Sequence, residues 1–307
     1  MSELRYCILL ATYNGEPFID EQIKSIAEQG VVSIDRLVSD DGSTDDTLGK
    51  IAAWQNQWTL GKIEIRKGPQ SGFSENFRSL ICNAPEGYDF YAYCDQDDIW
   101  MSDKLTKATE TLSRFHNAPS LYCGRTHAVD NAGNFLGFSP QMMKEPCFEN
   151  AIVQSIAGGN TMVFNDALMN FLRKSGAQGS FVAHDWWTYM LATGVGAHVV
   201  YDSDPKIYYR QHGENLIGTN NSVKARFTRL KMALDHQLSR WMDTNLSLLD
   251  KNRDLLLPEN EKLLDKVIHA RSHSQVSLLN LVFRRKIFRQ SFLGNMSLAF
   301  CAMLYRL

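Results

Sequence analysis

Residues 89–98 read DFYAYCDQDD, and this segment decides the fold because an apolar run ends abruptly in acidic side chains. The run 89–94 is short and rich in aromatic residues, which is typical of a buried strand. Three aspartates and a glutamine, residues 95–98, follow it directly. Ligands of open α/β sheets bind where strands end, so the segment predicts a ligand site at the carboxyl edge of a sheet.

The chain before this segment alternates strand and helix patterns. Predicted strands cover 6–12, 34–39, 62–67 and 89–94, and predicted helices cover 17–29, 45–57 and about 74–83. This order predicts a Rossmann-like α/β fold, with a mostly parallel sheet and helices on both faces. Each of these strands ends in polar or acidic residues, so we expect those side chains to meet at one edge of the sheet.

The order is less regular after residue 105, beyond the start of the next predicted helix. Helices are predicted over 99–112 and 185–193, strands over 120–127, 160–165 and 197–201, and long helices over 223–251, 259–280 and 282–306. We therefore expect an α/β domain over 1–219 and a helical C-terminal extension over 220–307.

The formal charge of −2 hides a division between these two parts. Residues 1–219 hold 17 basic and 27 acidic residues, whereas 220–307 hold 15 basic and 7 acidic, and no acidic residue follows Asp265. We expect the basic, amphipathic helix 282–306 either to lie on an anionic membrane surface or to pack on protein, in this chain or in a homodimer. The uncharged run 290–305 is too short and too polar to span a bilayer. The acidic first part argues against nucleic acid as a partner.

The cysteines and the N-terminus indicate the compartment. The six cysteines are widely spaced and form no CxxC pair, which argues against a zinc ribbon or a thioredoxin-like site. Residues 1–12 lack the basic start and the long apolar stretch of an export signal. We expect reduced core thiols in a cytoplasmic protein, held at the inner face of the cytoplasmic membrane if the basic helix binds lipid.

Asp40 and Asp41 end the second predicted strand and form the first candidate site. Carboxylates at this position can accept hydrogen bonds from a nucleobase or from ribose hydroxyls. The same residues can equally belong to an acidic turn before a helix that Ser43 or Thr44 caps.

Asp95 and Asp97 are the candidates for a metal site. Carboxylates this close repel one another, and a divalent cation completed by a nucleotide diphosphate would relieve the repulsion. Oxygen ligands favour Mg²⁺ or Mn²⁺ over zinc. The alternative is an acidic cap of the helix 99–112, although a buried strand rarely leads straight into four polar cap residues.

Two later groups could take part in chemistry. Asp185 precedes two tryptophans, the first of them Trp186, and partial desolvation would raise the pKa of its carboxyl and improve it as a general base. An indole face can stack on a sugar ring; the alternative is a helix cap followed by core tryptophans. Arg210 or His212 could meet a diphosphate or its metal, and residues 214–221 could act as a lid.

Together these motifs resemble those of the GT-A family 2 inverting glycosyltransferases, and most closely the bacterial rhamnosyltransferase-like branch. In chain order they are 11–15 (ATYNG), 40–45 (DDGSTD), 72–77 (GFSENF), 95–100 (DQDDIW), His184-Asp185 and Gln211-His212. The resemblance covers roughly residues 5–219. It implies a GT-A fold with a nucleotide-sugar part over about 1–105 and an acceptor part over about 106–219.

The resemblance also implies residue roles. The nucleotide-sugar site is expected to include Thr12, Tyr13, Asn14, Asp40, Asp41, Asn76, Asp95 and Gln96. Asp97 and His212 are expected to bind the metal, Mg²⁺ or Mn²⁺, and Asp185 to act as the catalytic base. The acceptor pocket is expected to include Gly159, Asn160 and Trp186. Many relatives carry a small residue where Gln96 stands, which leaves the shape of the sugar pocket open.

The implied reaction moves a sugar from a nucleotide diphosphate, best matched by dTDP-L-rhamnose, with inversion at the anomeric carbon. UDP-galactose, UDP-glucose and an N-acetylhexosamine donor remain alternatives, and the expected acceptor is a glycan or a lipid-linked intermediate of surface polysaccharide biosynthesis. A sugar-nucleotide pyrophosphorylase is disfavoured because the turn 12–16 has no Lys or Arg. A non-catalytic nucleotide- or carbohydrate-binding module is disfavoured because both the Asp95/Asp97 pair and Asp185 are present.

Overall fold

The computed structural model describes residues 3–31, 33–211, 237–304 and 307. The strands are β1 (Tyr6–Thr12), β2 (Ile34–Asp40), β3 (Ile63–Lys67), β4 (Phe90–Cys94), β5 (Ile99–Trp100), β6 (Ser120–Gly124), β7 (His127–Val129), β8 (Phe135–Phe138), β9 (Val163–Asn165), β10 (His198–Asp202) and β11 (Ile207–Arg210). The helices are α1 (Ile19–Ala27), α2 (Thr47–Gln57), α3 (Phe73–Asn83), α4 (Lys104–Leu112), α5 (Phe148–Ala151), α6 (Asp166–Gly176), α7 (His184–Gly194), α8 (Gln237–Lys251), α9 (Pro258–His273), α10 (Gln275–Phe283) and α11 (Phe292–Met303).

Seven of the described strands form the central sheet, in the order β10-β6-β9-β4-β1-β2-β3. The pairs of β1 with β2 and β4, of β2 with β3 and of β6 with β10 are parallel, and β9 runs antiparallel to both of its neighbours. Thr12 pairs with Asp40, and Leu10 pairs with Cys94. The predicted parallel sheet is therefore confirmed, and its register brings the polar ends of β1, β2 and β4 to one edge.

Alternating side chains of β1 enter two apolar layers, one on each face of the sheet. Ile8 and Leu10 pack with α1 and α2, whereas Leu9 packs with α3, α6 and α7. The layer on the Leu9 side continues into the C-terminal helices, where it includes Met242 and Leu298. Helices thus cover both faces as predicted, and the C-terminal helices share a core with the α/β part. The division expected at residue 219 lies outside the described residues.

A second sheet joins short strands in the order β5-β11-β7-β8. Its first strand corrects the predicted helix 99–112, since Ile99 pairs with Tyr208 of β11 and α4 begins only at Lys104. This pairing ties the segment after the DQDD motif to residues 207–210. The predicted strand 160–165 is likewise shortened, because a 3₁₀ turn occupies Gly159–Thr161 before β9 begins.

The C-terminal helices differ most from the sequence expectation. The predicted helix 282–306 is two helices, because α10 ends at Phe283, the backbone of Arg285 is left-handed (φ 53°), and α11 begins at Phe292. Hydrogen bonds fasten the intervening turn to the α/β part: Asn150 Nδ2 donates to the Phe288 carbonyl at 2.9 Å and Lys144 Nζ to the Arg289 carbonyl at 2.8 Å. This part of the C-terminal extension therefore packs on the α/β part of the same chain, which is one of the two arrangements expected for it. Among the described residues, every helix is too short or too polar to cross a bilayer. Of the predicted helix 223–251, only the part from residue 237 lies within the described residues.

Candidate active site

Asp40, at the end of β2, is buried and uses both of its carboxylate oxygens inside the protein. Oδ1 accepts hydrogen bonds from the hydroxyls of Thr12 at 2.8 Å and Ser43 at 2.6 Å. Oδ2 accepts from the N–H groups of Gly42 at 3.1 Å and Ser43 at 2.9 Å. The residue expected to meet the nucleoside thus joins the end of β1 to the loop after β2.

Asn14 extends this connection between the two loops. Its N–H donates to Ser43 Oγ at 2.9 Å, and its side-chain oxygen accepts from the Thr44 N–H at 2.8 Å. The backbone of Asn14 is left-handed (φ 49°), a conformation that asparagine tolerates better than most residues. Beside it, the side chain of Tyr13 is 58% exposed at the rim of the sheet edge. An aromatic ring in this position is available to a nucleobase.

Gln96 holds the same loop from the β4 side. Its side-chain oxygen accepts from the Tyr13 N–H at 2.8 Å, and its side-chain nitrogen donates to the Tyr13 carbonyl at 2.9 Å. A Cβ atom on Gly15 would lie 2.3 Å from the Gln96 oxygen, so only glycine leaves room for this arrangement. The resemblance assigned Gln96 to the nucleotide-sugar site, and in the structure its side chain forms a latch between the loops after β1 and β4.

Asp41 organises the loop that follows β3, and Asn76 ties α3 to β2. The two carboxylate oxygens of Asp41 accept from the N–H groups of Gln70 at 2.6 Å and Gly72 at 2.9 Å. Asn76 is buried on α3 and donates to the Ser39 carbonyl at 2.9 Å. Both residues lie at the predicted edge, with these polar atoms engaged in shaping it.

The acidic centre of the site is formed by Asp95, Asp97 and Asp185. Burial, followed by the charges of Asp97 and Asp185, raises the pKa of Asp95 to about 7. Burial also raises the pKa of Asp185 to about 6, against the opposing effect of a 2.6 Å hydrogen bond from the Trp186 N–H. Asp185, far away in sequence, is therefore close enough to interact electrostatically with Asp95, because α7 packs beside β4.

The donor atoms of this centre fit a divalent cation only in part. Carboxylate oxygens of Asp95 and Asp97 are suitable ligands, and their mutual repulsion would be relieved by positive charge. Within the described ranges, however, no group of three or more His, Cys, Asp or Glu side chains forms a ready-made metal site. Remaining ligands would have to come from a bound diphosphate, from water or from His212, which lies outside the described residues.

A buried polar network behind the acidic centre was missed by sequence reasoning. Asp98 is fully buried and accepts from Asn160 Nδ2 at 2.6 Å and from the Arg210 N–H at 3.3 Å. Burial and the charges of Asp97 and Asp95 raise its pKa well above the ordinary range. Lys104 Nζ donates to the Asn160 carbonyl at 2.6 Å and lies 3.3 Å from the centre of the Trp100 ring.

This network includes two residues for which the sequence predicted contacts with a ligand. The amide nitrogen of Asn160, predicted to border the acceptor pocket, is bonded to Asp98. Arg210 donates to the Asp97 carbonyl at 3.2 Å and forms an ion pair with Glu21, so it supports the acidic loop from behind. In the sequence, Asp98 was the only residue that pointed to this buried network. Nothing in the sequence shows that Lys104 is buried.

His184 fills the space between the acidic centre and α3. Its ring stacks on Phe77 with centroids 3.7 Å apart, and burial lowers its pKa to about 3. A Cβ atom on Gly159 would lie 1.9 Å from His184 Nε2, so glycine is required where this segment passes α7. Trp186, expected to offer an indole face to the acceptor, is instead buried, and its N–H donates to the Ala151 carbonyl at 2.7 Å.

The sequence of this chain is similar to those of known proteins. The family model described as Glycosyl transferase family 2 matches residues 7–173. A dTDP-rhamnosyl transferase of Shigella flexneri is 33% identical over 227 residues, which is 72% of this chain and 78% of that protein. An Escherichia coli UDP-Glc:alpha-D-GlcNAc-diphosphoundecaprenol beta-1,3-glucosyltransferase is 28% identical over 173 residues, covering 55% of this chain and 64% of that protein.

Solved structures show the same fold. The poly(ribitol-phosphate) beta-N-acetylglucosaminyltransferase of Staphylococcus aureus, residues 1–349 with UDP, aligns with a TM-score of 0.57 at 18% identity, covering 92% of this chain and 75% of that one. A mannosyltransferase of Pyrobaculum calidifontis with GDP-Man and Mn²⁺ aligns with a TM-score of 0.52 at 16% identity, covering 99% and 81%. The fold is GT-A, as the resemblance implied.

Proposed function

This chain belongs to glycosyl transferase family 2, and we propose that it is a rhamnosyltransferase using dTDP-L-rhamnose. It is an inverting glycosyltransferase of polysaccharide biosynthesis that uses a nucleotide-sugar donor. The acceptor in this proposal is a glycan or lipid-linked intermediate of bacterial surface polysaccharide. The single observation that supports the catalytic part is the convergence of Asp95, Asp97 and Asp185 at the carboxyl edge of the sheet.

Asp185 is the catalytic base in this proposal. Its carboxyl, with a pKa of about 6, is ionised at neutral pH and still basic enough to take a proton from a hydroxyl in the transition state. The acceptor oxygen forms a bond to the anomeric carbon as the bond from that carbon to the diphosphate breaks. The acceptor proton goes to Asp185 and the bonding electrons leave with the diphosphate, so one displacement inverts the anomeric centre.

The donor nucleotide lies, in this proposal, along the loops after β1 and β2. The exposed ring of Tyr13 would stack on the base, with Thr12 and Asn14 beside it. Asp40 and Asp41 would act mainly by fixing these loops, since their oxygens already accept hydrogen bonds from the protein. Asn76 and Gln96 would keep the pocket in shape in the same way.

A divalent cation, Mg²⁺ or Mn²⁺, completes the proposed site. Asp95 and Asp97 would hold it, with His212 as a further contact, and it would supply positive charge for the diphosphate. The burial and the neighbouring negative charges that raise the pKa of Asp95 support this, as does the Mn²⁺ that accompanies GDP-Man in the Pyrobaculum mannosyltransferase structure. On the acceptor side, Gly159 and Asn160 remain the proposed border, whereas Trp186 is left to the core.

A UDP-hexose donor is the second candidate. The Escherichia coli relative is named as a UDP-glucose enzyme with a diphosphoundecaprenol acceptor, and the Staphylococcus structure contains UDP. The Shigella relative is more similar and is named for dTDP-rhamnose, which is why we place that donor first. A lipid-linked acceptor would hold the enzyme at the inner face of the cytoplasmic membrane, with the C-terminal helices as the peripheral contact.

Thermal-shift measurements with dTDP, UDP and GDP, each with Mn²⁺, with Mg²⁺ or with a chelator, test this proposal. We expect the largest stabilisation with dTDP and a divalent cation. Stabilisation by UDP but not dTDP would reject the rhamnosyl donor. Slow hydrolysis of dTDP-rhamnose without acceptor should depend on the cation, and a complete absence of hydrolysis in a chain that still binds the nucleotide would favour a non-catalytic module.

A further inference from the structure

Helix α11 carries apolar side chains on both of its faces. No residue of Phe292–Met303 is charged. One face packs into the core through Leu298, Cys301 and Ala302. The opposite face is exposed to solvent, with Phe292 at 78% and Leu293 at 68% of full exposure, and it continues through Met296, Phe300 and Met303. A helix that covers a soluble surface normally has a polar outer face, so this arrangement indicates a partner.

Helix α10 enlarges the same apolar surface. It packs against α11 and exposes Val276 and Phe283, which are two helical turns apart and therefore on one face. We name the exposed apolar side chains of both helices the C-terminal face. Its members are Val276, Phe283, Phe292, Leu293, Met296, Phe300 and Met303.

The turn between the two helices supplies positive charge beside this face. Arg284, Arg285 and Lys286 are all exposed. Among the residues that the structure describes, none of the three forms an ion pair with a carboxylate. No acidic residue follows Asp265 in the sequence, so the two helices and the turn carry no counterion of their own. We name these three residues the basic turn.

We propose that the C-terminal face and the basic turn together form a binding surface for an anionic lipid bilayer. The inference names the partner of the membrane contact in the proposed function and rests on that function for its biological sense. Apolar side chains would enter the acyl boundary, and the cations would meet lipid phosphates. At 12 residues, or about 18 Å, α11 is too short to cross the roughly 30 Å hydrocarbon core, so it would lie in the interface.

Charge decides between a bilayer and a second copy of the chain as the occupant. A symmetric contact through the C-terminal face would place the basic turns of both copies at one interface. With no acidic residue in 266–307 to pair with them, these cations would repel each other. An anionic bilayer supplies the opposite charge over the whole surface, and it accepts apolar side chains without requiring a complementary shape.

Vesicle flotation with the full chain tests the inference. The vesicles contain either equal parts of phosphatidylglycerol and phosphatidylcholine or phosphatidylcholine alone. We expect binding to the anionic vesicles, weakened by salt, and much weaker binding to the zwitterionic ones. Replacing two cations, Arg284→Gln with Lys286→Gln, should weaken binding about 30-fold, at about fivefold per cation. Arg285 stays unchanged because of its left-handed backbone.

The triple variant Phe292→Ser, Met296→Ser and Phe300→Ser should weaken binding more than about a hundredfold, because each large side chain loses its burial in the bilayer. The matched control is Phe135→Ser with Leu136→Ser, which removes exposed apolar side chains from β8. The inference fails if the wild-type chain ignores anionic vesicles, or if the control loses as much binding as the triple variant.

Two further readouts separate this inference from the proposed function. Nucleotide-induced stabilisation should be equal in wild type and in all three variants, which would also show that they fold. Wild-type protein that binds nucleotide but no vesicle would overturn the membrane inference and leave the transferase standing. Light scattering that gives a dimer for the wild type and a monomer for the triple variant would overturn it in favour of a second copy.

Discussion

The carboxylates at the ends of β2 and β4 are alike in sequence and opposite in environment. Asp40 accepts four hydrogen bonds and Asp41 accepts two, so protein donors compensate their negative charge. Asp95 and Asp185 are partly desolvated near each other, and their pKa values are raised. The first two carboxylates therefore stabilise loops. In the other two the negative charge is unfavourable, and a bound cation or a proton would compensate it.

The largest expected effect comes from removing the base. Asp185→Asn keeps the size of the side chain but cannot take the acceptor proton, so the transfer rate should fall at least about a thousandfold. Binding of the nucleotide should change little, because Asp185 belongs to α7 and not to the loops after β1 and β2. Single-turnover transfer and nucleotide titration measure the two quantities.

The control for this change is Asp204→Asn, an exposed carboxylate away from the acidic centre, which should leave the rate unchanged. If Asp185→Asn transfers at a near-normal rate but no longer binds nucleotide, the proposed division between the two groups of carboxylates is wrong. Asp185 would then belong to the binding carboxylates rather than to the reacting ones.

Removing a loop-building carboxylate should instead affect folding. Asp40→Ala leaves the N–H groups of Gly42 and Ser43 without their acceptor in a buried place, and it should lower the free energy of unfolding by about 2–4 kcal/mol. Urea denaturation of the nucleotide-free protein measures this loss. Asp40→Asn is the milder control, since one oxygen can still accept the N–H groups while the hydroxyls of Thr12 and Ser43 turn to accept. Equal stability of wild type and Asp40→Ala would refute the loop-building role.

The Gln96 latch should have a smaller effect, on donor affinity. Gln96→Ala removes both hydrogen bonds to the Tyr13 backbone and frees the loop that carries the exposed ring. We expect the nucleotide to bind about tenfold more weakly, because binding must then order this loop. Isothermal titration calorimetry should show the loss mainly as a less favourable entropy. Gln55→Ala, on the outside of α2, is a control, and an unchanged dissociation constant for Gln96→Ala would argue that the loop needs no latch.

Local patterns sufficed to predict β1 to β4 and their helices, because each strand is a short apolar run between turn residues. The positions of Asp95 and Asp97 followed from the end of β4, whereas Asp185 was proposed from its neighbouring tryptophans and from the family resemblance. By contrast, β5 exists only because Ile99 and Trp100 pair with residues more than a hundred positions later, which no local window contains. The break between α10 and α11 was not predicted for another reason. Apolar residues continue on both sides of Arg285, and the sequence does not show that its backbone is left-handed. Burial of Trp186 and Lys104 likewise depends on distant neighbours.

The smallest expected effect is a gain in stability rather than a loss, and it tests the difference between the two groups of carboxylates most directly. In the folded chain the pKa of Asp185 is about 6, above the value near 3.9 that an unfolded chain gives it. Between these two values the folded state binds more protons than the unfolded state, so stability falls as the pH rises from about 4 to about 6. Above pH 6 the ionised carboxylate costs stability that a neutral amide does not.

Asp185→Asn should therefore raise the free energy of unfolding of the nucleotide-free protein by about 1–2 kcal/mol above pH 6, and this advantage should vanish towards pH 4. Melting curves of wild type and variant across this range measure the difference directly. Carboxylates that do not interact with Asp185 contribute equally to both proteins, whereas Asp95 also changes because the charge of Asp185 raises its pKa only in the wild type. A lower stability for Asp185→Asn at neutral pH would mean that protein donors compensate this carboxylate too, and the two groups of carboxylates would then not differ in environment. A gain in the free energy of unfolding for Asp185→Asn above pH 6, together with a loss for Asp40→Ala, would mean that the same site contains carboxylates that stabilise the fold and others that destabilise it.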